Sequence, residues 1–227
     1  ARITQALDAL RAPLARRGVL VPTGLRSMGQ NGLAIAAGAM GDPETAALGL
    51  DDAARHRLRD GISAALAAEI RANKPDTVAL CSARLADLDD ARALATLREM
   101  LQPLAGRIEI VAHLDDPARL FAARYAAQVF AGRTATPAQE LDLLGARDLR
   151  AALVRARPCE DAEIGQFPAV QGAPVWLDLA GLVSAWQTVF GAVRLRSATD
   201  QLLWTDGIAE ELGAVLGLDG VQGPVPA

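Results

Sequence analysis

The stretch RIEIVAHLDDPARLFAARYAAQVFAG, residues 107–132, decides the fold class. Its first seven residues, Arg107 to His113, are a short apolar run bounded by Gly106 and a pair of aspartates. Such a run reads as a buried strand. Asp116 to Gly132 reads as the helix that follows it. A strand passing directly into a helix is the building unit of α/β proteins.

The alternation extends outward in both directions. Upstream, ITQALDALRAPLARRG sets Ile3, Leu7, Leu10 and Leu14 at helical spacing, and Gly18 stops that helix. Val19 to Val21 reads as a strand ended by Pro22, and Thr23 to Asn31 as a loop. GLAIAAGAM, residues 32–40, is a short helix. Asp51 to Asn73 is a longer one, with Leu58, Ile62, Leu66 and Ile70 on one stripe. Thr77 to Cys81 is a second strand, followed by the amphipathic helix DLDDARALATLREMLQPL over 87–104. Downstream, Pro137 to Arg157 reads as helical and arginine-rich, a solvated face. Cys159 to Pro174 is a polar loop. Leu179 to Phe190 is a helix carrying Trp186, and AVRLRS over 192–197 is a fourth strand. Thr199 to Leu216 closes the fold, and residues 218–227 form a loose tail. Strands separated by helices imply right-handed crossovers and a mostly parallel sheet in one domain spanning 1–217. Four strands are few for such a sheet. A further strand ahead of Ala1 would repair the count, and the opening on Ala1 rather than Met suggests residues upstream.

Composition limits the function classes. Of 227 residues, 51% are hydrophobic and 22% charged, which fits a globular chain. Aromatic residues are only 4%, so the core rests on Leu, Val, Ile and Ala. A net charge of −4 argues against general nucleic-acid binding. Lys74 is the only lysine, and the two histidines and two cysteines show no metal-ligand spacing. Cys81 and Cys159 read as free thiols, no apolar run is long enough for a membrane span, and no signal peptide opens the chain. A cytoplasmic domain is the expectation.

Four segments, taken in order, resemble the bacterial sulfotransferase-like family, whose members transfer sulfate from phosphoadenylyl sulfate (PAPS). They are IxxALxxLRxxLxxRGVLVP near the start, TVALCSARL at 77–85, the 107–132 stretch, and LDLAGLVSAWQTVFGAVRLRSATDQLLWTDGIAEELGAVLGL at 177–218. The resemblance implies a three-layer α/β sandwich of the phosphate-loop type, lacking its first strand and phosphate loop in this chain. It also implies a donor nucleotide held by a Gly-rich, lysine-containing loop before the first helix. Backbone N–H groups and a helix N-terminus cradle an anion there. No Gly-Lys pair occurs in this sequence. The family's arginine and serine for the 3′-phosphate fall on Asp115 and Ala123. Asp115 replaces a cation with an anion, and within about 4 Å of a phosphate that swap is worth a few kcal/mol of repulsion. Arg119 and Arg124 lie nearby as substitute cations, although Arg119, one turn after Asp115, is placed to pair with it. Ser82 stands at the end of the second strand as a ligand donor or a simple helix cap, followed by Ala83 where the family has an acidic residue.

A sulfotransferase needs a base for the acceptor hydroxyl. Gln30 or Asn31 stands where the resemblance implies a histidine. Glu44, Asp42, Asp51 and His56 are the neighbouring candidates, and His113 ends the third strand. Trp186, Phe190 and Trp204 read as core, and Trp176 as the exposed aromatic, of a kind that sometimes marks partner or sugar contacts. The leading expectation is a non-catalytic binding or assembly module with a protein partner or a homo-oligomeric state. The alternative is an active PAPS-dependent sulfotransferase acting on a carbohydrate or other hydroxyl acceptor. A kinase or nucleotidase, with Asp115 on magnesium, stands last.

Overall fold

The structure, a computed structural model, describes residues 2–24, 31–38, 50–156, 174–199, 202, 205 and 207–222. It is an α/β protein with short parallel strands.

The opening helix is broken in two, α1 (Arg2–Ala9) and α2 (Arg11–Ala15). Pro13 causes the break: it has no N–H for the Ala9 carbonyl, and its ring crowds that oxygen. Gly18 then turns the chain with φ +77°, and β1 (Val19–Leu20) begins. α3 (Asn31–Ala37) and α4 (Asp52–Asn73) follow. Asp51 starts α4 by accepting a 2.6 Å hydrogen bond from the Ala54 N–H. Lys74 ends it in the left-handed region at φ 46°, where the following Pro75 disfavours a further helical residue.

β2 (Thr77–Val78) is shorter than expected. A 3₁₀ turn at Ala83–Asp87 leads to α5 (Ala91–Leu101), which Asp90 caps, and a second 3₁₀ turn at Gln102–Leu104. β3 (Ile110–Leu114) runs into α6 (Pro117–Phe130). Asp116 accepts from the Ala118 and Arg119 N–H groups, and Pro117 occupies the first turn, where its missing N–H is harmless. The helix expected over 137–157 is two, α7 (Ala138–Leu144) and α8 (Leu149–Ala156), parted at Gly145. A 3₁₀ turn at Val175–Leu177, α9 (Leu179–Phe190), β4 (Val193–Ser197) and α10 (Gly207–Leu216) complete the order. Of the expected closing helix 199–216, Gly207–Leu216 is α10 and Leu202 is helical as well; most of the residues between 199 and 207 lie outside the described residues.

Among the described residues, each strand pairs in parallel with one neighbour. β1 pairs with β2, Val19 opposite Thr77; β3 pairs with β4, Ile110 opposite Val193. The expected single sheet is therefore two pairs, because β2 and β3 share no ladder.

Two buried clusters hold the chain together. One gathers Leu33, Ala34 and Ala37 of α3, Ile62 of α4 and Leu94, Leu97 and Met100 of α5, with Trp186 and Phe190 of α9 packed against it. The other joins Leu7, Leu10 and Leu14 to Val19, Val21, Ala79, and Ile208, Ala209 and Leu212 of α10. Val221, placed by the sequence reading in a loose tail, is buried in the second cluster. The Leu218 N–H bonds the Gly213 carbonyl and the Arg17 guanidinium bonds the Asp219 carbonyl. Residues 218–222 thus belong to the packed body.

Candidate functional site

Parallel register fixes which side chains of β3 and β4 share a face. His113 stands opposite Arg196 and Val111 opposite Arg194, so both arginines and the histidine project to one side. α10 covers that side. Glu211 of α10 accepts from Arg196 Nε at 2.7 Å and from its terminal nitrogen, and lies 3.0 Å from His113 Nε2. Arg194 donates to the Val215 carbonyl farther along the same helix. The His113 and Glu211 side chains are only 12% and 10% exposed. The Arg196 hydrogen bonds pull the Glu211 carboxyl below its ordinary value against the opposing effect of burial. An ionised carboxylate only accepts, so His113 Nε2 carries the proton between them.

This cluster sits at the carboxyl ends of β3 and β4, the edge at which α/β proteins bind ligands. A shallow groove of about 380 Å³ opens beside it, lined by Thr199, Thr205, Gly207, Glu210, Glu211 and Ala214, among others. The sequence reading singled out His113 but missed Glu211 and Arg196. The signal was Arg194-Leu195-Arg196: two arginines two apart in a strand share a face and call for carboxylate or carbonyl partners.

The groups assigned to a donor nucleotide are engaged with the protein itself. Arg119 donates to one oxygen of Asp115 through Nε at 3.1 Å and a terminal nitrogen at 2.8 Å. The same oxygen takes the Asp116 N–H at 2.7 Å. Arg124 stacks over Trp176, 5.7 Å from the ring centre. Ala123 is exposed on α6. Ser82 both caps the 3₁₀ turn, accepting from the Arg84 N–H, and donates to the Asn31 side-chain carbonyl at 2.6 Å. The loop after β1 is occupied by a carboxylate: Glu69 accepts from the N–H groups of Thr23 and Gly24.

The candidate bases are dispersed. Asp51 is consumed as the α4 cap. His56 is exposed on α4, its Nδ1 2.7 Å from the Asp52 carbonyl one turn back. Glu44, Asp42, Gln30, Trp204 and Cys159 lie outside the described residues. Among the described residues, no group of three His, Cys, Asp or Glu side chains is placed to hold a metal ion. None of the described helices is long and apolar enough to cross a membrane.

Trp176 corrects an expectation. It is 6% exposed, tilted against Phe121 at 5.9 Å and covered by Arg124. It lies in the 3₁₀ turn Val175–Leu177, where the ring is buried. Among the described residues, Phe130 at the end of α6 is an exposed aromatic, 93% open. Trp186 and Phe190 are core as expected, stacked at 5.3 Å, with the indole N–H on the Leu88 carbonyl. Of the arginine-rich stretch, Arg147 and Arg155 are exposed, whereas Arg150 reaches Asp89 at 3.3 Å and Asp178 at 3.7 Å.

Comparison with protein-family models, curated proteins and solved structures finds no match to this chain.

Proposed function

We propose that this chain is a non-catalytic binding or assembly module on a sulfotransferase-like scaffold. The observation that carries the reading is the Asp115–Arg119 pair. At the position where the resemblance expects a phosphate-binding arginine, an aspartate stands and engages the nearest replacement cation. An anion arriving there meets a carboxylate first, and Arg119 has to leave one hydrogen-bonded partner to receive it. Arg124 over Trp176, Ser82 on Asn31 and Glu69 on the Thr23–Gly24 amides support the same conclusion.

One observation favours the alternative, a PAPS-dependent sulfotransferase with a hydroxyl acceptor. A histidine oriented by a carboxylate at the carboxyl edge of parallel strands is a usable acid–base arrangement. A thermal-shift titration of the natural polypeptide with 3′-phosphoadenosine 5′-phosphate separates the two. The module reading expects no shift at millimolar nucleotide. A saturable upward shift of a few degrees, as ligand at about 100 times its dissociation constant produces, overturns it.

A further inference from the structure

The core stripe of α4 runs on into charge. Ile62 and Leu66 are buried on one face of the helix, and Leu58 packs against the cluster shared with α3. Three and seven residues before Ile62, the same face carries Arg59 and Arg55 in place of apolar side chains. Both are only partly exposed, and the Nε of each is hidden from solvent without a hydrogen-bond partner. A terminal nitrogen of Arg59 donates to the Ala36 carbonyl near the end of α3, at a long 3.4 Å.

Arginines withdrawn from water are paired with carboxylates. This chain obeys that rule elsewhere, with Arg133 on Glu140 and Arg196 on Glu211. The acidic residues of α4 do not serve Arg55 and Arg59 in this way. Asp51, one turn before Arg55, is spent on the Ala54 N–H. Asp52 and Asp60 are exposed. The positions three and four residues from Arg59 are His56, Arg55, Ile62 and Ser63, none of them acidic.

Two guanidinium groups one turn apart, rooted about 6 Å from each other, repel as like charges. Each also keeps a donor that neither water nor protein satisfies, which costs free energy. One acceptor removes both costs if it brings two negative charges and several oxygens. A phosphate dianion does so, because its tetrahedral oxygens accept from two planar guanidinium forks that are always charged. A single carboxylate leaves one of the two charges unmatched. The exposed His56 and Arg57 complete the run Arg-His-Arg-Leu-Arg over 55–59, which concentrates positive potential in a chain of net charge −4.

We propose that Arg55 and Arg59 form a binding site for a phosphate group, free or as a monoester, beside the carboxyl end of α3. The site shares no residue with the donor positions around Asp115, so it is independent of the module reading.

Melting temperatures of the natural polypeptide test this, in chloride and in rising inorganic phosphate at constant ionic strength. The expected result is an upward shift of a few degrees that saturates in the millimolar range. Arg55→Met with Arg59→Met keeps the apolar stems and removes the forks. In chloride this variant is expected to melt no lower than the unaltered protein. In phosphate it is expected to show only the gradual rise that exclusion of phosphate from the protein surface produces. A saturable shift of equal size in the variant puts the phosphate elsewhere and overturns the proposal, as does the lack of a saturable shift in the unaltered protein. A variant that melts markedly lower in chloride shows that the arginines already have acceptors within the chain, and overturns it too. Saturation at lower concentration with phenyl phosphate than with inorganic phosphate assigns the site to a monoester, and the reverse order to free phosphate.

Discussion

Glu211 and His113 are 98 positions apart in sequence and 3.0 Å apart in space, and the same carboxylate holds Arg196. The three side chains tie α10 to both strands of one pair. Because the Arg196 bonds favour its ionised form, Glu211 titrates below its ordinary value of 4.5 when folded. The unfolded chain therefore takes up a proton at higher pH than the folded one. The contribution of Glu211 to stability is complete above about pH 4.5 and is lost as pH falls from there through the lowered folded value. Melting temperatures measured from pH 7 down to pH 3 are expected to fall most steeply in that acid window. Glu211→Gln, which has no such proton to take up, is expected to flatten that part of the profile and to cost roughly 1–3 kcal/mol at pH 7. An identical acid profile in the variant counts against the assignment.

Arg133 and Glu140 form the most enclosed ion pair described, each side chain only 2% exposed. The guanidinium reaches both Glu140 oxygens at 2.6 and 3.0 Å, the Gln128 amide oxygen, and the carbonyls of Ala135 and Thr136, with the Tyr125 ring 4.9 Å away. This fastens α7 to the end of α6. Glu140→Ala leaves a buried cation without its carboxylate and is expected to cost about 3–5 kcal/mol in urea unfolding. The double replacement Arg133→Met with Glu140→Leu is expected to recover most of that loss, since neither charge then has to be desolvated. A double variant as unstable as the single one would show that the pair contributes net stability beyond mutual compensation.

Helices and strands were legible where local chemistry decides them. The periodic stripe of Leu58, Ile62, Leu66 and Ile70 and the cap at Asp51 locate α4 almost to the residue, and β3 announces itself as an apolar run. Pairing was not legible. Nothing local in Thr77–Val78 says that its second edge stays open, because a ladder depends on a neighbour distant in sequence. The site was half legible for the same reason. His113 stands out by its chemistry, but Glu211 acquires its partner only when α10 folds over the strands. The Asp115–Arg119 pair lies within one helical turn, and there the spacing alone sufficed.

Gly18, just ahead of β1, anchors the chain entering β2 and has no room for a side chain. Its carbonyl accepts from the Asp76 and Thr77 N–H groups, and its φ of +77° lies in the region that L residues avoid. A methyl group built there collides with a carboxylate oxygen of Asp76. Gly18→Ala is expected to destabilise the fold by about 1–3 kcal/mol, measured as a lower urea midpoint with an unchanged slope. Pairing it with Asp76→Ala removes the collision but not the backbone strain, so only part of the loss is expected to return. Full recovery would show that the carboxylate contact, not the dihedral, sets the cost.

Two aromatic residues joined to the same helix offer opposite expectations. Trp176 packs on Phe121 of α6 and is 6% exposed; Phe130, at the far end of α6, is 93% exposed. Trp176→Ala removes a buried ring and the surface on which Arg124 stacks. It is expected to cost about 3–5 kcal/mol, with a matching loss of near-ultraviolet ellipticity. Phe130→Ser gives up almost no contact within the chain and is expected to change stability by less than about 0.5 kcal/mol. A marked loss of stability in Phe130→Ser that appears only at high protein concentration would mean that the ring is covered by another copy of the protein, since burial in a dimer raises stability by mass action. The same loss at every concentration would mean that the end of α6 is packed within the chain after all. A tolerant Trp176→Ala would reverse the assignment of the buried ring and return position 176 to the surface that the sequence alone suggested.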